Sequence, residues 1–260
     1  MIGLFDSGIG GLTVLREVAK LLPNVTLVYF GDTARTPYGN KSAEVVSAYG
    51  LEATKFLVER GAKAIIVACN TVSAVGLQAI KQAYPKLPVF DVVTPAVEAV
   101  VRLPQAHRIG VMGTRALVGS GIYQRLLKQH NSYEVVAHAA PLLVPLVEEG
   151  WLDKPETKRI IKSYLTPFKQ AQVDTLVLAC THYPLLKTLI QARVAKRTVV
   201  VDPAEETARV VAAWVLQHPE VSEPATGAGS HFYVTDLTPQ TQAIAQAWLK
   251  RAIKLELVHL

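Results

Sequence analysis

The sequence predicts an α/β protein with two pseudo-symmetric lobes, each built on a parallel sheet, and an active site in the cleft between them. Three observations support this fold class. Short apolar strands alternate with helices, an ordered set of segments recurs about 110 residues further along the chain, and the only two cysteines, Cys69 and Cys180, each follow such a strand. Ligands bind at the carboxyl ends of strands in open α/β sheets, so both thiols lie where a site is expected.

The first lobe alternates strands and helices from the start of the chain. A glycine-rich turn follows the first strand, and Asn70 or Thr71 is suited to cap the helix that follows Cys69. The predicted elements are a strand at 1–5, a helix at 12–22, a strand at 26–30, a helix at 42–60, a strand at 65–67, a helix at 71–84 and a strand at 89–93.

The second lobe repeats this order. Residues 108–114 match residues 1–7, and the apolar strand before Cys180 matches the strand before Cys69. Near-constant spacing between the matched segments indicates an internal duplication.

The division between the lobes is predicted from two proline-containing stretches, around Pro95 and Pro203, which we interpret as crossings between them. One lobe then comprises residues 1–95 plus 205–260, and the other residues 96–204. The tail is predicted as a helix at 205–217, a flexible loop at 222–230, a strand at 231–236, a helix at 239–252 and a strand at 253–258.

Composition narrows the class of protein. The net charge is +6, but the basic residues are scattered, without an arginine-rich arm or zinc-finger spacing. A solvated basic surface explains this charge, and a field that attracts an anionic substrate is a second explanation. The first residues lack the basic and long apolar regions of a signal peptide, and no apolar stretch is long enough to span a bilayer. We therefore expect a cytoplasmic protein with two reduced thiols, no membrane contact and no nucleic-acid partner.

Two thiols on two related lobes suit the inversion of a stereocentre. Inversion needs a base on one face of a carbon and an acid on the other, and the roles are exchanged after turnover. A thiol has a reference pKa of roughly 8.5, which neighbours can lower toward neutrality. Asp6 and His182, one near each cysteine, are the neighbours that could set the two protonation states. A single cysteine is often a small buried hydrophobe, but two in matching positions favour function.

We predict that the site needs neither a cofactor nor a metal. Many racemases use pyridoxal phosphate on a lysine, but no lysine stands at a strand end here. The glycine-rich turn is not a dinucleotide fingerprint, because Thr13 occupies the third glycine position. Polar groups remain to bind a carboxylate, and they are Ser7, Asn70, Thr71, Thr114 and Thr181.

Five segments together resemble one family. FDSGIGGL (5–12), GDTARTPYG (31–39), ACNTVSA (68–74), PLLVPLVEEG (141–150) and ACTHYPLL (179–186) are similar to the cofactor-independent glutamate racemases of the aspartate/glutamate racemase superfamily. The resemblance runs along nearly the whole chain. It implies interconversion of L- and D-glutamate for peptidoglycan in a bacterial cytoplasm, a two-lobed fold and, commonly, a homodimer.

The resemblance also implies residue roles. Cys69 would face the α-proton of D-glutamate and Cys180 that of L-glutamate, with Asp6 and His182 assisting them. A family glutamate falls at Glu148 or, as the second choice, Glu149. The substrate-binding residues it implies are Asp6, Ser7, Tyr38, Gly39, Asn70, Thr71, Thr114, Thr181 and His182.

One position departs from the family pattern, and three other functions stay open. Leu117 replaces the second threonine of a GTxxT motif, which removes a carboxylate or water contact. The alternatives are a racemase for aspartate or another acidic amino acid, a basic module that binds nucleic acid or protein, and a redox protein that uses both cysteines. A disulfide would require Cα atoms within about 7 Å of each other.

Overall fold

A computed structural model of the protein describes residues 1–130, 132–221 and 229–260. Most of the loop predicted at 222–230 lies outside these ranges. Within them the chain forms ten strands, which are β1 (Ile2–Asp6), β2 (Leu27–Gly31), β3 (Ala64–Val67), β4 (Val89–Asp91), β5 (Arg108–Gly113), β6 (Glu134–Ala139), β7 (Thr175–Ala179), β8 (Val199–Val201), β9 (His231–Val234) and β10 (Leu255–Leu257).

Helices connect these strands and cover both faces of the sheets. Within the described ranges they are α1 (Leu12–Leu21), α2 (Ala43–Glu59), α3 (Asn70–Val75), α4 (Leu77–Ala83), α5 (Val93–Val101), α6 (Arg115–Ser120), α7 (Ile122–Leu127), α8 (Leu143–Glu148), α9 (Pro155–Gln170), α10 (Lys187–Gln191), α11 (Pro203–Gln217) and α12 (Pro239–Leu249). Short 3-10 turns occur at Tyr38–Asn40, Tyr183–Leu186 and Pro219–Val221.

The strands form two sheets in which every pairing is parallel. The first has the order β10-β9-β2-β1-β3-β4 and the second the order β6-β5-β7-β8. The segment β2-β1-β3-β4 therefore has the same order as β6-β5-β7-β8. The pseudo-symmetric α/β architecture predicted from the repeat is confirmed, whereas the assignment of residues to the two lobes stays a prediction.

Several predicted elements have different boundaries. In the tail, the strand predicted at 231–236 is His231–Val234, the helix predicted at 239–252 is Pro239–Leu249 and the strand predicted at 253–258 is Leu255–Leu257.

Three further differences have a specific contact as their cause. The helix predicted at 71–84 is two helices separated at Gly76, where a Cβ atom would lie 3.2 Å from Ser47 Cα. The strand predicted at 89–93 ends at Asp91, because Asp91 Oδ1 accepts hydrogen bonds from Val93 N and Thr94 N and starts α5 there. The helix predicted from 205 begins at Pro203, after Asp202 caps it through Ala204 N. Both proline stretches are thus helix starts.

The lobes share one apolar core. Side chains of α1 and the first sheet pack in the same buried cluster as side chains of the second sheet. Helix α11 lies against both α1 and α5. The carboxyl ends of the central strands of the two sheets are consequently held at one site rather than on independent bodies.

A matching glycine lets a helix approach the central strand of each sheet. A Cβ atom at Gly3 in β1 would lie 3.1 Å from Leu57 Cβ on α2, and one at Gly110 in β5 would lie 2.8 Å from Phe168 Cδ1 on α9. We expect Gly3→Ala and Gly110→Ala each to lower the free energy of unfolding by about 1–3 kcal/mol, because buried side chains must shift. Urea unfolding monitored by circular dichroism measures this.

Gly119 offers a matched control. Nothing lies within 4 Å of a Cβ atom at Gly119, which is in helix α6. Gly119→Ala should keep or raise stability by about 0.5–1 kcal/mol. Equal effects at all three glycines would contradict this account of the packing.

Candidate functional site

The two cysteines open on one cavity between the sheets. Cys69 follows β3 and Cys180 follows β7, and both are about 5% exposed or less. The cavity they share measures about 120 Å³, well below the roughly 300–1,000 Å³ of pockets for drug-sized ligands. Its size suits a small metabolite.

Most of the predicted site residues line this cavity. The lining includes Ser7, Tyr38, Gly39, Cys69, Asn70, Thr71, Thr114, Cys180, Thr181 and His182. Asp6 and Glu148 do not line the cavity. Asp6 lies near Cys69, and Glu148 contacts His182, so each is next to a residue that does line it. The carboxyl ends of β1, β3, β5 and β7 therefore all contribute residues to this cavity.

Asp6 lies at the end of β1, buried near Cys69. Its Oδ2 accepts a hydrogen bond from Gly8 N at 3.1 Å, and its Oδ1 has no hydrogen-bond partner among the described residues. Burial raises the pKa of the Asp6 carboxyl, and the charge of His182 and nearby backbone N–H groups offset part of this effect.

Cys69 is held in its neutral form. Burial, followed by the negative charge of Asp6, raises the pKa of the Cys69 thiol to about 12. Hydrogen bonds from Ser7 and from backbone N–H groups of Thr71 and Val72 counter this only in part. Cys69 therefore stays a thiol near neutral pH, because desolvation and a like charge both disfavour its thiolate.

Cys180 has a basic neighbour, His182, where Cys69 has an acidic one. His182 Nδ1 lies 3.9 Å from Cys180 Sγ, and His182 Nε2 lies 2.9 Å from Glu148 Oε1. Burial lowers the pKa of His182, but the hydrogen bonds and charges of Cys180 and Glu148 outweigh burial and raise that pKa to about 10. At neutral pH a protonated imidazole therefore stands beside Cys180.

Glu148 is the glutamate that contacts the site. Its neighbour Glu149, the second choice from sequence, is exposed at the end of α8. The carboxylate of Glu148 is carried to His182 because α8 packs against the turn at Tyr183–Leu186.

Hydroxyl groups meet across the cavity. Thr71 Oγ1, which follows Cys69, lies 3.1 Å from Thr114 Oγ1 at the end of β5. A Cβ atom at Gly39 would lie 3.0 Å from Thr114 Cβ, so the loop that carries Tyr38 packs closely on the second lobe. Asn70 Oδ1 is buried and has no partner among the described residues.

The loop around Tyr38 is held from behind by Asp32. The Tyr38 hydroxyl donates to Asp32 Oδ2, Arg35 Nε lies 2.6 Å from the same oxygen, and Thr235 Oγ1 donates to Asp32 Oδ1 at 2.8 Å. Burial and the charge of Asp32 raise the pKa of Tyr38. Thr235 follows β9, so the end of the chain supports the first lobe's site.

Leu117 does not take part in the cavity. Its side chain is 1% exposed and packs in the apolar cluster of the second lobe, while its backbone N–H donates to Thr114 Oγ1 at 3.2 Å. The departure from GTxxT thus places an apolar group in the core.

Sequence reasoning missed several lining residues. Most adjoin residues that were found, which is the signal that could have indicated them, and they are Thr36, Pro37, Asn40, Arg115, Pro141, Val144, Pro145 and Tyr183. Arg115 matters chemically, because it and His182 are the cationic side chains of the lining and no acidic side chain lines it. Among the described residues Arg115 has no ion-pair partner. The described ranges also contain no cluster of three potential metal ligands.

Comparison with known proteins assigns the family. A family model described as Asp/Glu/Hydantoin racemase matches residues 8–211. The chain belongs to this racemase family. It is therefore an isomerase, and the resemblance inferred from the five segments is confirmed.

Individual relatives of this racemase agree with the assignment. The glutamate racemase of Geobacter metallireducens is 46% identical over 239 residues, covering 92% of this chain and 88% of the relative. That of Neisseria meningitidis serogroup C is 42% identical over 265 residues, covering 100% and 96%. A crystal structure of glutamate racemase from Francisella tularensis in complex with D-glutamate matches with a TM-score of 0.92 at 32% identity, covering 99% of this chain and 97% of that one.

The length and apolar character of the helices are relevant to the prediction that the chain has no membrane span. In the described part of the racemase, no helix combines the length and the apolar character needed to cross a bilayer.

His182 links the stability of the racemase to pH. Its pKa rises from 6.5 to about 10 on folding, so its stabilising effect is full below about pH 6.5 and is lost as the pH rises through about 10. We expect the free energy of unfolding to fall by up to a few kcal/mol over this interval. Urea unfolding at a series of pH values measures the fall.

Two histidine variants distinguish the contribution of His182 to this pH dependence from the contributions of other titratable groups. His182→Asn should flatten the fall, and His138→Asn, on β6, should leave it unchanged. The buried Cys69 thiol adds a loss of the same sign only above about pH 9. An unchanged slope in His182→Asn would contradict the raised pKa of His182.

Proposed function

We propose that the protein interconverts L- and D-glutamate by a two-base mechanism, with Cys180 and Cys69 as the bases. One observation carries the proposal, namely that two thiols from matching strand ends open on one small cavity in opposite electrostatic surroundings. The relatives named above as glutamate racemases, and the D-glutamate in one of their structures, support glutamate as the substrate.

The surroundings assign a starting state. Cys69, whose pKa is raised by burial and Asp6, starts as a thiol, and Cys180, which lies beside protonated His182, is the group that we assign as the first base. The Cys180 thiolate removes the α-proton of L-glutamate, and the Cys69 thiol donates a proton to the opposite face. The D-enantiomer then leaves with the two protonation states exchanged, and the reverse reaction starts from that form.

Charge that develops on the α-carboxylate needs stabilisation, because an amino acid α-proton is a very weak acid. The donors that we assign to this carboxylate and to the rest of the substrate are Ser7, Tyr38, Gly39, Asn70, Thr71, Thr114, Thr181 and His182. Their fixed orientation around a small cavity favours charge on the substrate more than water would. No cofactor is needed in this scheme.

The cellular role that we propose is the supply of D-glutamate for peptidoglycan in a bacterial cytoplasm. The named relatives are bacterial proteins, and the product would be a precursor of the cell wall. We further propose that the lobes divide as residues 1–95 plus 205–260 and residues 96–204, and that the protein forms a homodimer.

Removing either thiol should abolish racemisation. We expect Cys69→Ala and Cys180→Ala each to lower kcat/KM by at least about 10³-fold in both directions, because a positioned proton-transfer group is lost. Polarimetry with each glutamate enantiomer measures this, and circular dichroism shows that the variants are folded. Full activity in either variant would exclude the two-base scheme.

Parallel assays with aspartate test the substrate. If the wild-type protein racemises aspartate and leaves glutamate unchanged, the two-base chemistry stands and the substrate assignment is wrong. Loss of both activities in a folded and reduced protein would contradict the proposed function as a whole.

Arg115 is expected to bind a carboxylate of the substrate. It is an exposed cation on a lining without acidic groups, and glutamate carries two carboxylates. Arg115→Gln should raise KM roughly tenfold for both enantiomers, since hydrogen bonds to charged groups contribute about 1.5–3 kcal/mol, and should change kcat by less than about twofold. Steady-state kinetics at several salt concentrations measure this.

Arg125 supplies the matched control. It is exposed on α7, outside the cavity lining, and its Nη1 donates to Ser120 O. Arg125→Gln should keep the wild-type KM. Equal KM values for Arg115→Gln and the wild-type protein would contradict a contact between Arg115 and the substrate.

A further inference from the structure

His182 is held by more than the two groups on its nitrogens. Besides Cys180 and Glu148, the ring touches Gly10 in the glycine-rich turn of the first lobe and Trp248 in α12. A Cβ atom at Gly10 would lie 2.6 Å from His182 Cε1 and 2.3 Å from Thr181 Oγ1. The bare backbone of Gly10 thus borders the ring directly.

Trp248 packs edge-to-face on the same ring. The two ring centroids are 5.6 Å apart with an interplanar angle of 88°, and Trp248 is 7% exposed. Its backbone oxygen accepts a hydrogen bond from Arg16 Nη1 at 3.4 Å, which ties α12 to α1. An aromatic pair in this arrangement has a preferred geometry and restricts rotation of both rings.

The contact between His182 and Cys180 requires such restriction. At 3.9 Å, His182 Nδ1 is at the outer limit of a hydrogen bond to sulfur. The torsion that rotates an imidazole ring has broad preferences, so the side chain alone does not define its angle. A small rotation would move His182 Nδ1 out of contact with Cys180 Sγ.

We propose that Trp248 is a positioning residue, which together with Gly10 fixes the imidazole of His182 for proton transfer at Cys180. The inference rests on the proposed two-base function. It assigns to the last helix of the described chain, which is distant in sequence from Cys69 and near Cys180 only in space, a part in one of the two proton-transfer steps that is exerted through His182. The Cys69 step does not depend on it.

Racemisation imposes a constraint on the test. The equilibrium constant between enantiomers is one, so kcat/KM must be equal in the two directions for every variant. A defect at one base is therefore visible in isotope effects rather than in the ratio of rates. Slowing the Cys180 step should raise the primary isotope effect on kcat/KM for α-deuterated L-glutamate and lower it for α-deuterated D-glutamate.

The variants are Trp248→Leu, which removes the aromatic ring, and Trp248→Phe, which keeps one. We expect kcat/KM to fall roughly 10- to 100-fold in Trp248→Leu, because small misplacement of a catalytic group is costly, with isotope effects that move in opposite directions. Trp248→Phe should restore most of the activity, with isotope effects that move in the same directions as in Trp248→Leu but by less. Changes of the same sign for both enantiomers, or no change, would overturn the proposal.

Trp214 provides a matched control. It is a partly buried tryptophan on α11 that stacks on a different histidine, His218, at a centroid distance of 4.2 Å. Trp214→Leu should leave both isotope effects unchanged. A shift in Trp214→Leu like that in Trp248→Leu would mean that general loosening of the fold, rather than His182, is responsible, and would overturn the proposal.

Alkylation of the substrate-free protein tests positioning without turnover. Iodoacetamide labelling followed by mass spectrometry gives the reaction rate of each cysteine separately. In Trp248→Leu, and to a smaller degree in Trp248→Phe, Cys180 should react several-fold more slowly near neutral pH, while Cys69 keeps its rate. An unchanged rate at Cys180 in both variants would overturn the proposal even if wild-type glutamate racemisation were normal.

Two readouts separate failure of this inference from failure of the proposed function. Wild-type protein that does not racemise glutamate contradicts the function, whereas the alkylation rates still report on the contact between His182 and Cys180. If Trp248→Leu does not fold, Trp248→Phe and the labelling of its two cysteines decide the question.

Discussion

The site depends on close contact between the glycine-rich turn of the first lobe and the second cysteine motif. Thr13 Oγ1 donates a hydrogen bond to Thr181 O at 2.8 Å, and Gly10 leaves no room for a side chain next to Thr181 and His182. Because β1 ends at this turn and β7 ends at Cys180, the contact brings the carboxyl ends of two parallel sheets together. The contact thereby places both thiols on one cavity, which the proposed two-base mechanism requires.

Similar backbones surround the two thiols with different charges. Cys69 has a buried carboxyl group, Asp6, as its neighbour, whereas Cys180 has an imidazole, His182, whose pKa is raised by the hydrogen bonds and charges of Cys180 and Glu148. The matching positions agree with the internal duplication that the sequence predicts, and the different flanking residues account for the different electrostatic surroundings. In the proposed mechanism, this asymmetry gives the substrate-free site one starting form, and each turnover exchanges the protonation states of the two cysteines.

The sequence predicted the repeat, the parallel strands and most of the cavity lining, because these follow from apolar periodicity and from motifs at strand ends. It did not predict the break at Gly76 or the early start of α5, since each depends on a tertiary or capping contact, with Ser47 and Asp91 respectively. The raised pKa of Cys69 depends on burial beside Asp6, which spacing alone does not reveal. Trp248 was missed because it lies in an ordinary helix, far along the chain from His182.

The most direct test of the central claim is racemisation in D2O by purified protein, without pyridoxal phosphate and with a metal chelator and a thiol reductant present. At early conversion from either glutamate enantiomer, two bases on opposite faces should yield product that carries α-deuterium, while the remaining substrate keeps its α-proton. Mass spectrometry of the separated enantiomers measures both pools. Product that retains the original α-proton, or equal deuterium in both pools, would contradict the assignment of Cys69 and Cys180 as two separate bases.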